Sequence, residues 1–197
     1  PPRSTLFPYT TLFRSTQNPI EHEGVFALPE AQLDRFLLKI RLDYPTREEE
    51  LAIVERYGAL GSSGQAKKVV PPLDESAVAG LRAAVDRVAI DRALTDYALR
   101  IVRNLRKDFD PGLAVPVQQE LARSVDYGPG PRAVLALHRV SRALALLDGR
   151  DSVTPDDIKR AAPAVLRHRL ILSYEAEAQG LQSDALIKLL LSSVELP

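Results

Sequence analysis

The sequence predicts a mainly α fold in two unequal parts: the end of an α/β unit, then an all-α unit. Three observations carry that expectation. Apolar residues recur every three or four positions at Leu94, Tyr97, Ile101 and Leu105, and again at Leu137, Val140, Leu144 and Leu147. That spacing gives a helix one apolar stripe. Helix-start chemistry stands at Thr46 with Glu49 and at Thr154-Pro155-Asp156-Asp157. Residues 36–42, apolar with Lys39 and Arg41 interleaved, read as a strand. A lone strand is not stable, so one or two strands here belong to a sheet with other members. The α/β part is placed at residues 16–44 and the helical part at 45–197.

Taken in order, TLFPYTTLFRS at residues 5–15 reads as the in-frame translation of a sequencing-adapter oligonucleotide. Residues 1–15 are therefore set aside as a foreign scar expected to be disordered, with the natural sequence expected to start near Thr16, inside a domain. Thr16 to Pro19 looks like the polar tip of a strand, and Gly24 marks a loop. Pro29 suits the first turn of a short helix through Glu30, Leu33 and Arg35. Thr46 and Glu49 form a capping-box pair, and the helix carries Leu51, Val54 and Tyr57 before Gly58 can stop it. A Gly-, Ser- and Lys-rich stretch ends at Pro71-Pro72, and Asp74 can cap a helix over residues 75–85. Off the stripe of the next helix lie Arg92, Asp96, Arg100 and Arg103. A short helix is expected within residues 113–124, and Pro131 can open the one that ends before Gly149. Thr154, Pro155 and the acidic pair behind them supply cap, first-turn proline and favourable charge. Residues 183–194 close the chain as a helix.

Composition narrows the function classes. The 197 residues are 45% hydrophobic and 26% charged, the profile of a globular protein. Lys plus Arg and Asp plus Glu both number 26, so no global basic excess draws the chain to nucleic acid or an anionic membrane. Without cysteine there are no disulfides or thiolate metal sites. His22, His138 and His168 are too few for a histidine-rich metal site. No apolar run reaches the length of a membrane span and nothing resembles a secretory signal, so a cytoplasmic protein is expected.

TQNPIEHEGVFALPEAQLDRF from Thr16 to Phe36 resembles the sensor 1 to arginine-finger region of MoxR-type AAA+ ATPases. YGPGPRA at Tyr127 to Ala133, LLDGRDSVTPDDIK at Leu146 to Lys159 and VLRHRLILSYEAEAQG at Val165 to Gly180 continue the resemblance in the same order. The resemblance implies the C-terminal end of an AAA+ core followed by its helical lid. It implies ATP hydrolysis with Mg2+ at subunit interfaces of a ring, expected to be a hexamer. Chaperone-like remodelling beside a protein with a von Willebrand A domain, and no nucleic-acid partner, complete the expectation.

Asn18 matches sensor 1, where a neutral amide can touch the γ-phosphate and orient water without adding charge. Arg35 matches the arginine finger that acts in trans, a planar donor for charge spread over the transferring phosphoryl group. Arg132 matches sensor 2 at the start of a lid helix, where free N–H groups already favour an anion. Alone, these residues also read as a turn asparagine, a helix-terminal arginine and a solvated arginine. The family's usual Gly-Ala-Ser-Pro-Arg-Ala string is Gly128-Pro129-Gly130-Pro131-Arg132-Ala133 here, without the serine hydroxyl.

Two lookalikes are set aside. Gly61-Ser62-Ser63-Gly64-Gln65 lacks the Gly-Lys-Ser/Thr of a phosphate loop and reads as a linker. Val69 to Glu75 ends in Asp-Glu, but Pro71 and Pro72 would break a central strand, so Asp74 reads as a cap. The chain by itself is thus expected to be inactive, with the ligands of ATP and Mg2+ mostly elsewhere. His138, Arg139 and Arg142, with Arg167, His168 and Arg169, are read as a solvated or ring-interface face. A noncatalytic helical interaction module and a helical nucleic-acid binder are the other readings open at this point.

Overall fold

A computed structural model describes residue 16, residues 29–58 and residues 73–197. Residues 1–15, Asn18 and the Gly61 to Pro72 stretch lie outside the described residues. The described elements run α1 (Glu30–Leu33), α2 (Arg47–Tyr57), α3 (Glu75–Arg87), α4 (Arg92–Leu105), α5 (Val115–Ser124), β1 (Val125–Tyr127), α6 (Pro131–Leu147), α7 (Pro155–Leu166), β2 (Ile171–Leu172), α8 (Tyr174–Ala178) and α9 (Ser183–Ser193). The mainly helical expectation holds.

Local chemistry sets most helix starts. The Thr46 N–H donates to Glu49 Oε2 at 2.8 Å, and the Glu49 N–H returns to Thr46 Oγ1 at 3.3 Å, the reciprocal capping box before α2. Asp74 Oδ1 accepts from the Ala77 N–H at 2.6 Å, so Asp74 is the cap the sequence indicated. Asp91 does the same for Ala93 at 2.7 Å before α4. Before α7, Asp157 Oδ2 accepts from the Thr154 N–H and hydroxyl at 2.8 and 2.9 Å. Arg150 then grips the Asp157 carboxylate through two bonds of 2.7 and 2.8 Å, which holds it well below the usual range, at about 2. Gly149 takes the left-handed conformation (φ 74°) that ends α6.

The core lies between Val88 and Val194. Tyr97, Ile101 and Leu105 from α4 meet Leu137 from α6, Ile158 and Leu166 from α7, and Ile187 and Leu190 from α9, all fully buried. The α6–α7 pair is the most extensive helix packing. One expected stripe slips: Leu147 is 81% exposed, and α6 buries Ala133, Ala136 and Ala145 beside Leu137 and Val140. β1 and β2 pair antiparallel, Val125 opposite Leu172, and a parallel bridge joins Ala89 to Ser152.

The strand expected over residues 36–42 is not there; the chain bends at Phe36 and Leu37 and continues as irregular coil. Part of its backbone bonds to residues 164–169 instead of to a sheet. The Lys39 N–H donates to Ala164 O at 2.8 Å, and the Phe36, Leu37 and Lys39 carbonyls accept from side chains at the end of α7. The observed strands lie in the helical part. None of the described helices is long and apolar enough to cross a membrane.

Candidate functional site

Arg132 is the second residue of α6, at the end where backbone N–H groups have no helical acceptor. The entry is fixed without the serine that the sequence lacks. Gly130 occupies the cap position with no side-chain bond, and Pro131 presets the first turn. Arg106 Nε donates to Pro129 O at 2.5 Å. A Cβ on Gly128 would fall on the Leu105 carbonyl and the Arg106 Cα, so only glycine lets this loop lie on the end of α4.

Arg132 Nη1 donates to Asp34 Oδ2 at 3.2 Å. The structure thereby brings the lid arginine to the turn that carries Arg35. Arg35 itself is exposed, and no described residue bonds its side chain. Asn18 lies outside the described residues, so its distance from the two arginines is not part of this geometry.

A second guanidinium completes the cluster. Arg169 Nε donates to Asp34 Oδ1 at 3.0 Å, Nη2 donates to Asp34 O and Phe36 O at 3.0 and 2.5 Å, and Nη1 reaches Leu37 O and Val165 O. Its side chain is only 3% exposed. Burial pulls Arg169 below its ordinary pKa, and the Asp34 hydrogen bond and charge oppose that pull. His168 Nε2 lies 3.0 Å from Phe36 O, and its buried Nδ1 has no partner. The neutral tautomer with the proton on Nε2 fits both facts. Burial holds His168 at about 4, with the Phe36 bond opposing and the Arg169 and Lys39 charges adding to the depression. Arg167 bridges Asp184 at 3.0 Å and Lys39 O at 3.1 Å.

This corrects the reading of Arg167, His168 and Arg169 as a solvated or interface face. All three turn inward and clamp residues 34–39. The sequence did hold a signal: three successive hydrogen-bonding side chains follow directly on a helix end, while residues 34–39 present a row of backbone groups needing partners. His138 on α6 is half-buried, and burial followed by the Arg142 charge lowers its pKa.

The chain is similar to known proteins in sequence and fold. Residues 118–189 fit the AAA lid domain model, and residues 4–38 fit the model of the ATPase family associated with various cellular activities. The chain is 40% identical over 195 residues to Chaperone MoxR1 of Mycobacterium tuberculosis H37Rv, covering 99% of this chain and 49% of that protein. It is 36% identical over 183 residues to the YeaC protein of Bacillus subtilis strain 168, covering 93% and 52%. The chain belongs to the MoxR-type AAA+ ATPases. A crystal structure of a candidate ATPase from Cytophaga hutchinsonii superposes with a TM-score of 0.78 at 36% identity, over 92% of this chain and 52% of that one. The MoxR-type chain thus spans about half the length of the curated relatives it matches. Its lid match takes in β1, α6, α7, β2 and α8, with Arg132 on α6 and Arg169 in the turn after α7.

Proposed function

We propose that the whole protein binds and hydrolyses ATP at the subunit interfaces of a cytoplasmic ring, expected to be a hexamer, and uses that cycle for chaperone-like remodelling of partners. A protein with a von Willebrand A domain is the partner class that the family resemblance implies. The observation that carries the reading is the ion pair of Arg132 with Asp34, which brings the start of α6 to the turn that carries Arg35. Arg132 stands at a helix N-terminus, where the dipole and free N–H groups favour a phosphate. Arg35, one residue from Arg132's partner Asp34, projects with no described partner, as a residue serving a neighbouring subunit would.

In this reading Arg132 holds the γ-phosphate of its own subunit's nucleotide as sensor 2. Arg35 stabilises charge developing on the neighbour's transferring phosphoryl group. Asn18, as sensor 1, orients the attacking water. Magnesium supplies charge neutralisation on the phosphates. Among the described residues no group of three acidic or histidine side chains gathers to hold it, so its ligands are assigned elsewhere in the protein. The sequence holds no Gly-x-x-x-x-Gly-Lys-Ser/Thr string, and the 197-residue chain alone is expected to release no phosphate from ATP.

Subunit mixing tests the assignment. Arg35→Ala in the whole protein should lower kcat steeply and leave nucleotide affinity nearly unchanged, the mark of an interaction made in the transition state. Mixed with a subunit defective in its phosphate-loop lysine, that variant should regain activity, because an intact site forms across the mixed interface. Arg132→Ala mixed with the same partner should regain none. Equal rescue in both mixtures, with subunit exchange confirmed, removes Arg35 from the trans role.

A further inference from the structure

We propose that Asp34 is a positioning residue, an exchangeable counter-ion that parks Arg132 until nucleotide phosphate draws it away. The proposal rests on the reading of Arg132 as a nucleotide-binding residue. The two bonds of the Asp34 carboxylate are unequal. Arg169 is buried and anchored by four backbone carbonyls besides Asp34 Oδ1, so it cannot leave without stranding those acceptors. Arg132 has a 60% exposed side chain and one bond to Asp34, at 3.2 Å. A contact of that kind is weak and easily exchanged.

Exchange is chemically favourable in one direction. A triphosphate carries more charge than one carboxylate and offers a guanidinium paired acceptors. When Arg132 departs, Asp34 keeps Arg169 as its charge partner, so no bare carboxylate remains. The competition also has an address. Asp34 is covalently next to Arg35, so exchange at Arg132 removes a restraint from the turn that carries Arg35.

The test is a double-mutant cycle in the whole protein, with a fluorescent ATP analogue and Mg2+ as the probe. Asp34→Asn removes the competing charge and should tighten binding by about two- to five-fold, the worth of an exposed ion pair. In an Arg132→Ala background the same change should have no effect. A purely structural role for Asp34 would instead shift affinity equally in both backgrounds, and that outcome overturns the proposal. If Arg132→Ala weakens binding while Asp34→Asn does not tighten it, the latch is wrong and the reading of Arg132 stands. If Arg132→Ala leaves binding unchanged, both fall.

A second measurement serves if Asp34→Asn does not fold. In the 197-residue chain with its natural Asp34, the 15N side-chain resonance of Arg132 should shift with added inorganic tripolyphosphate while that of Arg169 stays fixed. Movement of both, or of neither, counts against the exchange.

Discussion

Residues 88–194 and residues 29–58 are held by different physics. The first region buries a continuous apolar core, with Tyr97, Ile101, Leu137, Ile158 and Leu190 shielded from water. The second contributes no buried residue from α1 or α2, and its Leu42 and Tyr44 are 90% and 85% exposed. Although Leu38 packs partly against the core, the attachment is largely polar, through Arg167, His168 and Arg169. A hydrophobic body resists perturbation globally, whereas a polar stitch opens locally when its donors are changed. The candidate arginines straddle that boundary: Arg132 is rooted in the body and Arg35 is carried by the stitched segment.

The difference predicts a hierarchy of effects. Ile158→Ala should destabilise the 197-residue chain by about 2–5 kcal/mol in urea unfolding, since it leaves a cavity in the core. Leu51→Ala on exposed α2 should change the midpoint by less than about 0.5 kcal/mol. Comparable losses at both positions would erase the contrast. Gly128→Ala should cost about 1–3 kcal/mol, because the loop before Arg132 must lift off α4. Gly112→Ala, in an exposed turn where nothing crowds a Cβ, serves as the nearly neutral control.

The pH dependence of the stitch comes next in size. His168 is held near 4 in the folded chain against 6.5 ordinarily, so the unfolded chain takes up a proton first as pH falls. Its contribution is complete above about 6.5 and is lost between pH 6.5 and 4. His168→Gln, which keeps a donor for Phe36 O, should flatten that window in a Tm-against-pH series. An unchanged slope would show that His168 does not titrate there. The smallest effect is expected from deleting residues 1–15, which should leave the Tm of the remaining chain where it was.

Legibility in the sequence followed the range of the interactions. The capping box at Thr46, the Asp74 cap and the start of α7 were readable because their partners lie within three residues. The α4 stripe was readable because one face of a long helix meets the core. In α6 the expected stripe ended early, with Leu147 exposed and Ala145 buried. β1 and β2, of three and two residues, are too short to show a period. The misread strand at 36–42 failed for another reason. Alternation reports an extended chain but not its partner, and the donors here come from about 130 residues away. The same distance hid the contact of Asp34 with Arg169 from sequence reasoning, while the helix start that carries Arg132 was legible because Pro131 can open it.

Native-state hydrogen exchange on the 197-residue chain tests the central claim, that a polar clamp from the end of α7 holds the Arg35-bearing segment to an independently stable body. The Lys39 amide, bonded to Ala164 O at 2.8 Å, reports on the stitch, and the Ile158 and Leu137 amides report on the body. The account predicts that Arg169→Ala collapses protection at Lys39 while that at Ile158 and Leu137 changes little. Parallel loss at all three amides, or undiminished protection at Lys39, would contradict it.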